Sequence, residues 1–162
     1  MSSKSSGKKK TRFSNNVLIE NRRARFDYEV LEKFEAGIEL SGCEVKSLRE
    51  GGGTLTDVYA LIKGEQAFLR GMHIKPYEQG NEQNMEPDRD RRMLLHRREI
   101  ARLVGQTAQK GLTLIPLRVY FTERGWAKVE LGLCRGKREQ DKRDTIRKRD
   151  EEREMRREFK VR

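Results

Sequence analysis

Residues 111–134 read GLTLIPLRVYFTERGWAKVELGLC, two apolar-rich runs either side of a turn at Glu123–Gly125. In the second run Ala127, Val129, Leu131 and Leu133 alternate with Lys128, Glu130 and Gly132. That is the period of a strand with one face in a core and the other in water. The two runs therefore predict an antiparallel hairpin. Upstream, TLTDVYALIKGEQAFLRGMHI (54–74) reads as a second hairpin, turning at Lys63-Gly64-Glu65. In YEVLEKFEAGIEL (28–40), Tyr28, Val30 and Phe34 fall on alternating positions, and Gly37 supplies a bend, which suits a curved strand.

Two helices fit between these strands. In SGCEVKSLREGGG (41–53) Ser41 can cap, Val45 and Leu48 lie three apart, and Gly51–Gly53 stop the run. Ile100, Leu103, Val104 and Ala108 fall at helical spacing, which predicts a helix over 95–110 ended by Gly111. The polar stretch 75–90 holds Pro76 and Pro87 and reads as a mobile surface loop. Hairpins, glycine bends and an intervening helix predict a mainly β fold with helices. The leading architecture is a small antiparallel barrel of the oligonucleotide-binding (OB) type with flanking helices.

Charge divides the chain into three parts. Residues 1–13 carry five basic residues and no acid, and residues 135–162 carry thirteen basic and eight acidic residues. The chain totals +11, so the body, residues 14–134, is left at only +1. Clustered Lys and Arg at both ends of a nearly neutral body predict a polyanionic partner, since each phosphate contact releases condensed counterions. The first segment has too little apolar content to offset the entropy of ordering and is expected to be disordered. No apolar stretch approaches the roughly 20 residues of a transmembrane helix. The basic N-terminus has no following apolar region, so neither a membrane span nor a secretory signal is expected, and a cytoplasmic location is. Cys43 and Cys134 lack metal or redox spacing and read as ordinary buried thiols.

The tail, residues 135–162, pairs acids with bases at i and i+4: Glu139 with Arg143, Asp144 with Lys148, and Glu152 with Arg156. Yet Ile146, Met155 and Phe159 make no continuous apolar stripe, and an isolated helix of this length is marginal in water. The expectation is a segment disordered when free and helical on docking to a polyanion. A permanently solvated tail is the alternative.

No catalytic site, cofactor or metal centre is expected. His73 and His96 stand in no recognisable motif, and GGGT lacks the ending of a phosphate-binding loop. Glu86, Asp88 and Asp90 are spaced two apart, but neighbouring arginines can satisfy them locally. In RDRRMLLHRRE, Arg91 and Arg92 beside Met93 and Leu94 combine charge with an apolar edge able to meet an unstacked base. A solvated helix entry fits those residues equally well. ENRRARF, with Asn21, Arg22, Arg23 and Arg25, reads as a basic RNA-facing strand or as plain surface.

Taken together, NRRARFDYEVLEKFEAGIELSGCEVKSLREG, FLRGMHIKPY, RRMLLHRREI and GKREQDKRDTIRKRDEE resemble the SmpB (SsrA-binding protein) family of bacterial trans-translation. The resemblance spans 16–152 in collinear order. It implies an OB-type barrel that binds the tRNA-like domain of transfer-messenger RNA (tmRNA) and delivers it to stalled ribosomes. It further implies RNA-facing roles for Asn21, Arg22, Arg23, Glu35, Arg91, Arg92 and Met93. The tail is implied to probe the small-subunit decoding centre and the empty mRNA channel. Gly136, Lys137, Arg138, Gln140, Asp141, Lys142 and Arg143 would approach the former, and Ile146 onward, with Met155, would lie in the latter. Gln140 stands where that family commonly has an aromatic or His. A non-catalytic, monomeric factor is expected, with a structural ribosomal or general RNA-binding protein as the alternative.

Overall fold

The computed structural model describes residues 17–109 and 111–160. The basic segment 1–13, expected to be disordered, lies outside the described residues. The chain order is β1 (Val17–Glu20), α1 (Arg22–Asp27), β2 (Tyr28–Ile38), α2 (Gly42–Arg49), β3 (Gly53–Thr54), β4 (Tyr59–Lys63) and β5 (Gln66–Arg70). Next come β6 (His73–Ile74), β7 (Arg91–Leu94), α3 (Arg97–Thr107), β8 (Leu112–Phe121), β9 (Ala127–Gly136) and α4 (Glu139–Lys160).

Three long strands form the frame. β9 pairs with β2 from Tyr28↔Gly136 to Gly37↔Lys128, and with β8 from Leu112↔Arg135 to Phe121↔Ala127. The seven-stranded antiparallel sheet runs β1-β8-β4-β5-β7-β2-β9, while β3 and β6 pair separately. Because β8 also pairs with β9, the path of pairings returns on itself, but β4 meets β8 through one registered pair, Ala60↔Leu114. The coarse expectation, a mainly β fold with helices, is the fold adopted. A barrel laddered on every side is not, because that seam is a bridge.

Inside the sheet lie Leu69, Leu114, Val119, Val129 and Leu131, all fully buried, with Leu48 of α2 and Leu103 of α3 added from the helices. Burying such a side chain contributes about 1.5–3 kcal/mol. The β4–β5 turn is the expected tight one. Lys63 pairs with Gln66, so Gly64 and Glu65 form a two-residue loop, and Gly64 takes the φ of +60° that such a turn requires. The cap on α2 is also as read: Ser41 Oγ accepts from Glu44 N, and Ser41 N donates to Glu44 in return. Helix α3 is shorter than expected, and Val104 and Ala108 stay exposed while Ile100 and Leu103 are buried.

Four other expectations are corrected. ENRRARF is not a strand but helix α1, with Arg22, Arg23 and Arg25 on the surface, since Asn21 caps it and its Arg and Ala residues favour helix. The stretch RRML is strand β7 rather than a helix entry. The outer face of β9 is not wet throughout: Ala24 of α1 covers Ile115, Leu117 and Cys134, forming a second small core with Tyr28 and Val30. Burial there pushes the Cys134 thiol up to about 11, whereas Cys43 is only half-buried. Finally, the polar loop 75–90 is tied down. Asn84 bridges both backbone groups of Tyr77, and Pro87 O accepts from Ile74 N.

The tail is helical along α4, with no buried residue. Of the three expected i,i+4 pairs none forms among the described residues. Arg147–Glu151 at 3.2 Å and Asp150–Arg153 at 3.8 Å take their place.

Candidate nucleic-acid interface

Strand register assembles a site from residues far apart in sequence. Leu94 lies opposite Gly37, Gly37 opposite Lys128, and Lys128 opposite Tyr120, which makes one line across β7, β2, β9 and β8. The alternate residues Met93, Ala36, Val129 and Val119 are buried, so this line faces outward. A second line runs Glu35, Glu130, Arg118, Glu20. At the centre of the first line Gly37 has no side chain. A Cβ there would meet Leu94 Cβ at 3.2 Å, and Gly37 itself is buried, so glycine lets the Leu94 side chain lie close over the strand beside Lys128.

The side chains on this face form a connected polar chain. The Tyr120 hydroxyl donates to the Glu35 carboxylate, whose other oxygen lies 4.0 Å from Lys128 Nζ. Burial, with that carboxylate beside it, drives the Tyr120 phenol above its ordinary value. The Arg118 guanidinium sits 5.5 Å from the Tyr120 ring centre. Glu130 accepts from Arg118 Nε at 2.5 Å and pairs with Lys33 Nζ at 3.2 Å. Burial pushes the Glu130 carboxyl up, but these two cations outweigh it and hold it below the usual carboxylate range. Trp126, 68% exposed, stands at the β8–β9 turn beside this face. Cations, an exposed Leu94, Tyr120 and Trp126 together suit unstacked bases and the phosphates between them.

The expected RNA-facing residues separate under this geometry. Glu35 and Arg92 are exposed on the open face, where Arg92 Nη1 lies 3.6 Å from Glu39. Arg22 and Arg23 are exposed on α1, at the far end of β2, nine residues from Gly37 or roughly 30 Å. Asn21, Arg91 and Met93 present no side chain to a partner. Met93 is 2% exposed and sits in the core. Arg91 is fully buried against Glu44. Asn21 Nδ2 donates to Leu55 O and Pro116 O, and Oδ1 accepts from Ala24 N. Asn21→Ala is therefore expected to cost about 2 kcal/mol by removing a cap and orphaning two carbonyls. A lowered urea midpoint with RNA affinity retained at low temperature is the expected reading.

Lys128, Tyr120, Arg118 and Trp126 are not marked as site residues by the sequence, whereas Leu94 is, beside Met93, as an apolar edge. Alternation in β9 already put Lys128 and Glu130 on one face, but only the cross-strand register joins them to Glu35. Asp88 and Asp90 are satisfied from β6 and β5, by His73 at 2.8 Å and Arg70 at 3.0 Å, rather than by the arginines next to them in sequence.

In the tail, Gly136 closes β9, Lys137 Nζ donates to Arg25 O, and Lys142 pairs with Asp27 at 3.3 Å. Arg138, Gln140, Asp141, Arg143, Ile146 and Met155 are exposed. No described helix is long and apolar enough to cross a membrane.

The family described as SmpB protein matches residues 18–161. The SsrA-binding protein of Moorella thermoacetica is 58% identical over 139 residues, covering 86% of this chain and 90% of that protein. The SsrA-binding protein of Trichodesmium erythraeum is 50% identical over 153 residues, covering 94% and 97%. A solved structure described as "tmRNA-SmpB: a journey to the center of the bacterial ribosome" is similar at a TM-score of 0.65 and 51% identity, covering 82% of this chain and 95% of that one.

Proposed function

Because the chain belongs to the SmpB family, we propose that it binds tmRNA through the open outer face of its sheet and works with the ribosome in the rescue of stalled translation. The observation that carries this reading is the line Leu94, Gly37, Lys128, Tyr120 with Glu35 beside it. The exposed Leu94 side chain, an aromatic ring and an ammonium group along one line offer contacts for a splayed base and its phosphate. Glu35 adds an acceptor for base N–H or ribose hydroxyl groups. The sheet is read as an OB-type fold, whose strand face is a common platform for oligonucleotides. No catalytic role is assigned, and the protein acts as a cytoplasmic monomer.

Arg92 at the rim of the face and Arg22 and Arg23 on α1 add phosphate contacts in this reading. The tail is the ribosome-directed part. Gly136, Lys137, Arg138, Gln140, Asp141, Lys142 and Arg143 approach the decoding centre, and Ile146 to Met155 follow the vacant mRNA channel. A helix with no buried face, led in by the basic residues Arg135, Lys137 and Arg138, gains its stabilisation from surrounding RNA, so mRNA already in the channel acts as a competitor.

Lys128→Ala tests the assignment. Loss of a charge-assisted contact of about 1.5–3 kcal/mol corresponds to a fall in tmRNA affinity of about 10- to 100-fold. The slope of log affinity on log salt becomes shallower by about one. Trp126, the only tryptophan, lies beside the face and supplies the fluorescence signal. Unchanged affinity at moderate salt removes the outer face from the interface.

A further inference from the structure

The outer face holds a carboxylate that an RNA-binding surface has no evident use for. Glu130 lies in mid-strand between Glu35 and Arg118, it is only 9% exposed, and it engages Arg118 and Lys33 at once. A phosphate-binding face would gain attraction if this residue were neutral, because Lys33 and Arg118 would each lose a counter-charge. Arg118 is restrained further by the Tyr120 ring beneath its guanidinium, and Tyr120 in turn by Glu35. The five charged groups Lys33, Glu35, Arg118, Lys128 and Glu130 leave this part of the face at a net charge of only +1. Attraction for phosphate that any RNA can satisfy is thereby kept small, while the base-facing groups Tyr120 and Glu35 stay fixed.

We propose that Glu130 is a specificity-determining residue: by holding Lys33 and Arg118 in ion pairs on the RNA face, it withholds two cations from phosphate and so suppresses binding of non-cognate RNA. The inference rests on the assignment of this face to RNA. It deepens that assignment by saying how the face discriminates: the sequence-independent part of binding scales with the number of cations free to displace counterions, and Glu130 lowers that number. The shape- and base-dependent part does not need Lys33 or Arg118 to be free.

Glu130→Gln keeps the size of the side chain and removes its charge. Against an unrelated tRNA, its affinity is expected to rise about tenfold at 0.1 M salt, and its salt slope to steepen by about one to two, the signature of one or two released cations. Affinity for tmRNA rises less, so the ratio between the two RNAs falls. A variant that merely loosened the fold would move neither the slope nor the ratio in this direction. Lys33→Ala, at an exposed position, supplies a second reading that does not depend on how Glu130→Gln folds. Its slope on the unrelated tRNA stays as in the parent protein, because the cation removed was already neutralised. Unchanged or weaker binding of the unrelated tRNA by Glu130→Gln, or a slope shallower by about one in Lys33→Ala, overturns the proposal. If Lys128→Ala also leaves tmRNA affinity untouched, the face itself is misassigned. If Lys128→Ala weakens binding while Glu130→Gln shows no gain for the unrelated tRNA, only the role of Glu130 fails.

Discussion

Glu44→Ala is expected to destabilise the fold by about 3–5 kcal/mol, because it leaves a buried arginine without its counter-charge. The Arg91 side chain is 0% exposed, and every part of its guanidinium is engaged. Nε and Nη2 donate to Glu44 Oε1 at 3.1 and 2.9 Å, Nη1 to Met72 O and Arg89 O, and Nη2 also to Pro87 O. Glu44 in addition receives Arg89 and returns the capping bond to Ser41 N. One carboxylate thus ties α2, β7 and the loop before β7 together. In a chain of this length the loss corresponds to a fall in melting temperature of about 10 °C or more, measured by far-UV circular dichroism. Glu44→Leu combined with Arg91→Met should lose much less than the two single changes added, since no unpaired charge remains. A loss under about 1 kcal/mol in Glu44→Ala would mean that water reaches the guanidinium.

The same pair sets an acid limit on stability. Burial raises the Glu44 carboxyl, but the Arg89 and Ser41 hydrogen bonds and the Arg91 charge outweigh it, so its folded value lies below the ordinary one. A depressed carboxyl contributes stability that is fully present above its unfolded value near 4.5. That stability is lost as pH falls through the folded value. Neutral pH is therefore on the plateau, and Glu44→Ala should flatten the acid limb.

Arg91 also explains where the sequence misleads. Arg91, Arg92 and Met93 look like one basic and apolar cluster when read in a line. On strand β7 they point alternately, so Arg91 and Met93 go inward and Arg92 and Leu94 go outward. A buried arginine needs a carboxylate, and its partner lies 47 positions away on another element, which no local pattern reveals. Local signals, by contrast, were legible: the Ser41 cap, the Gly64 turn and the alternation of β9 each depend on residues within a few positions. Helix α1 carried local signals too, the Asn21 cap on Ala24 N and helix-favouring Arg and Ala, but at six residues it is too short to show a helical apolar period. The candidate site was half legible. Glu35 entered through the family resemblance and Lys128 through alternation, but their adjacency follows from the β2–β9 register.

Removing residues 138–162 is expected to abolish tagging of stalled peptides while leaving tmRNA affinity within about threefold of the parent, the scale of a surface ion pair. The cut is placed after Lys137 because Gly136 still pairs with Tyr28, and Lys137 N donates to Asp27 O at 2.9 Å. Beyond that point the contacts between the tail and α1 among the described residues run along one stripe of α4. Lys142 pairs with Asp27 at 3.3 Å, and Lys142 and Arg149 lie 6.0 and 5.9 Å from the Phe26 ring centre. A partly exposed ion pair and two surface cation–π contacts supply about 1–2 kcal/mol in all. That is too little to hold 22 helical residues whose isolated helix is marginal. The contact with α1 is thus easily broken by salt or by phosphate, and Lys142 and Arg149 become available to ribosomal RNA when the tail lets go. Circular dichroism of the parent minus the truncated protein should accordingly show far less helix than α4 would give if fully formed. On the proposed reading the tail would then draw its order from the mRNA channel, and occupancy by mRNA would decide whether it can fold there. A loss of tmRNA affinity of more than about tenfold on truncation would place the tail in the RNA clamp instead, and the channel could no longer be what it reads.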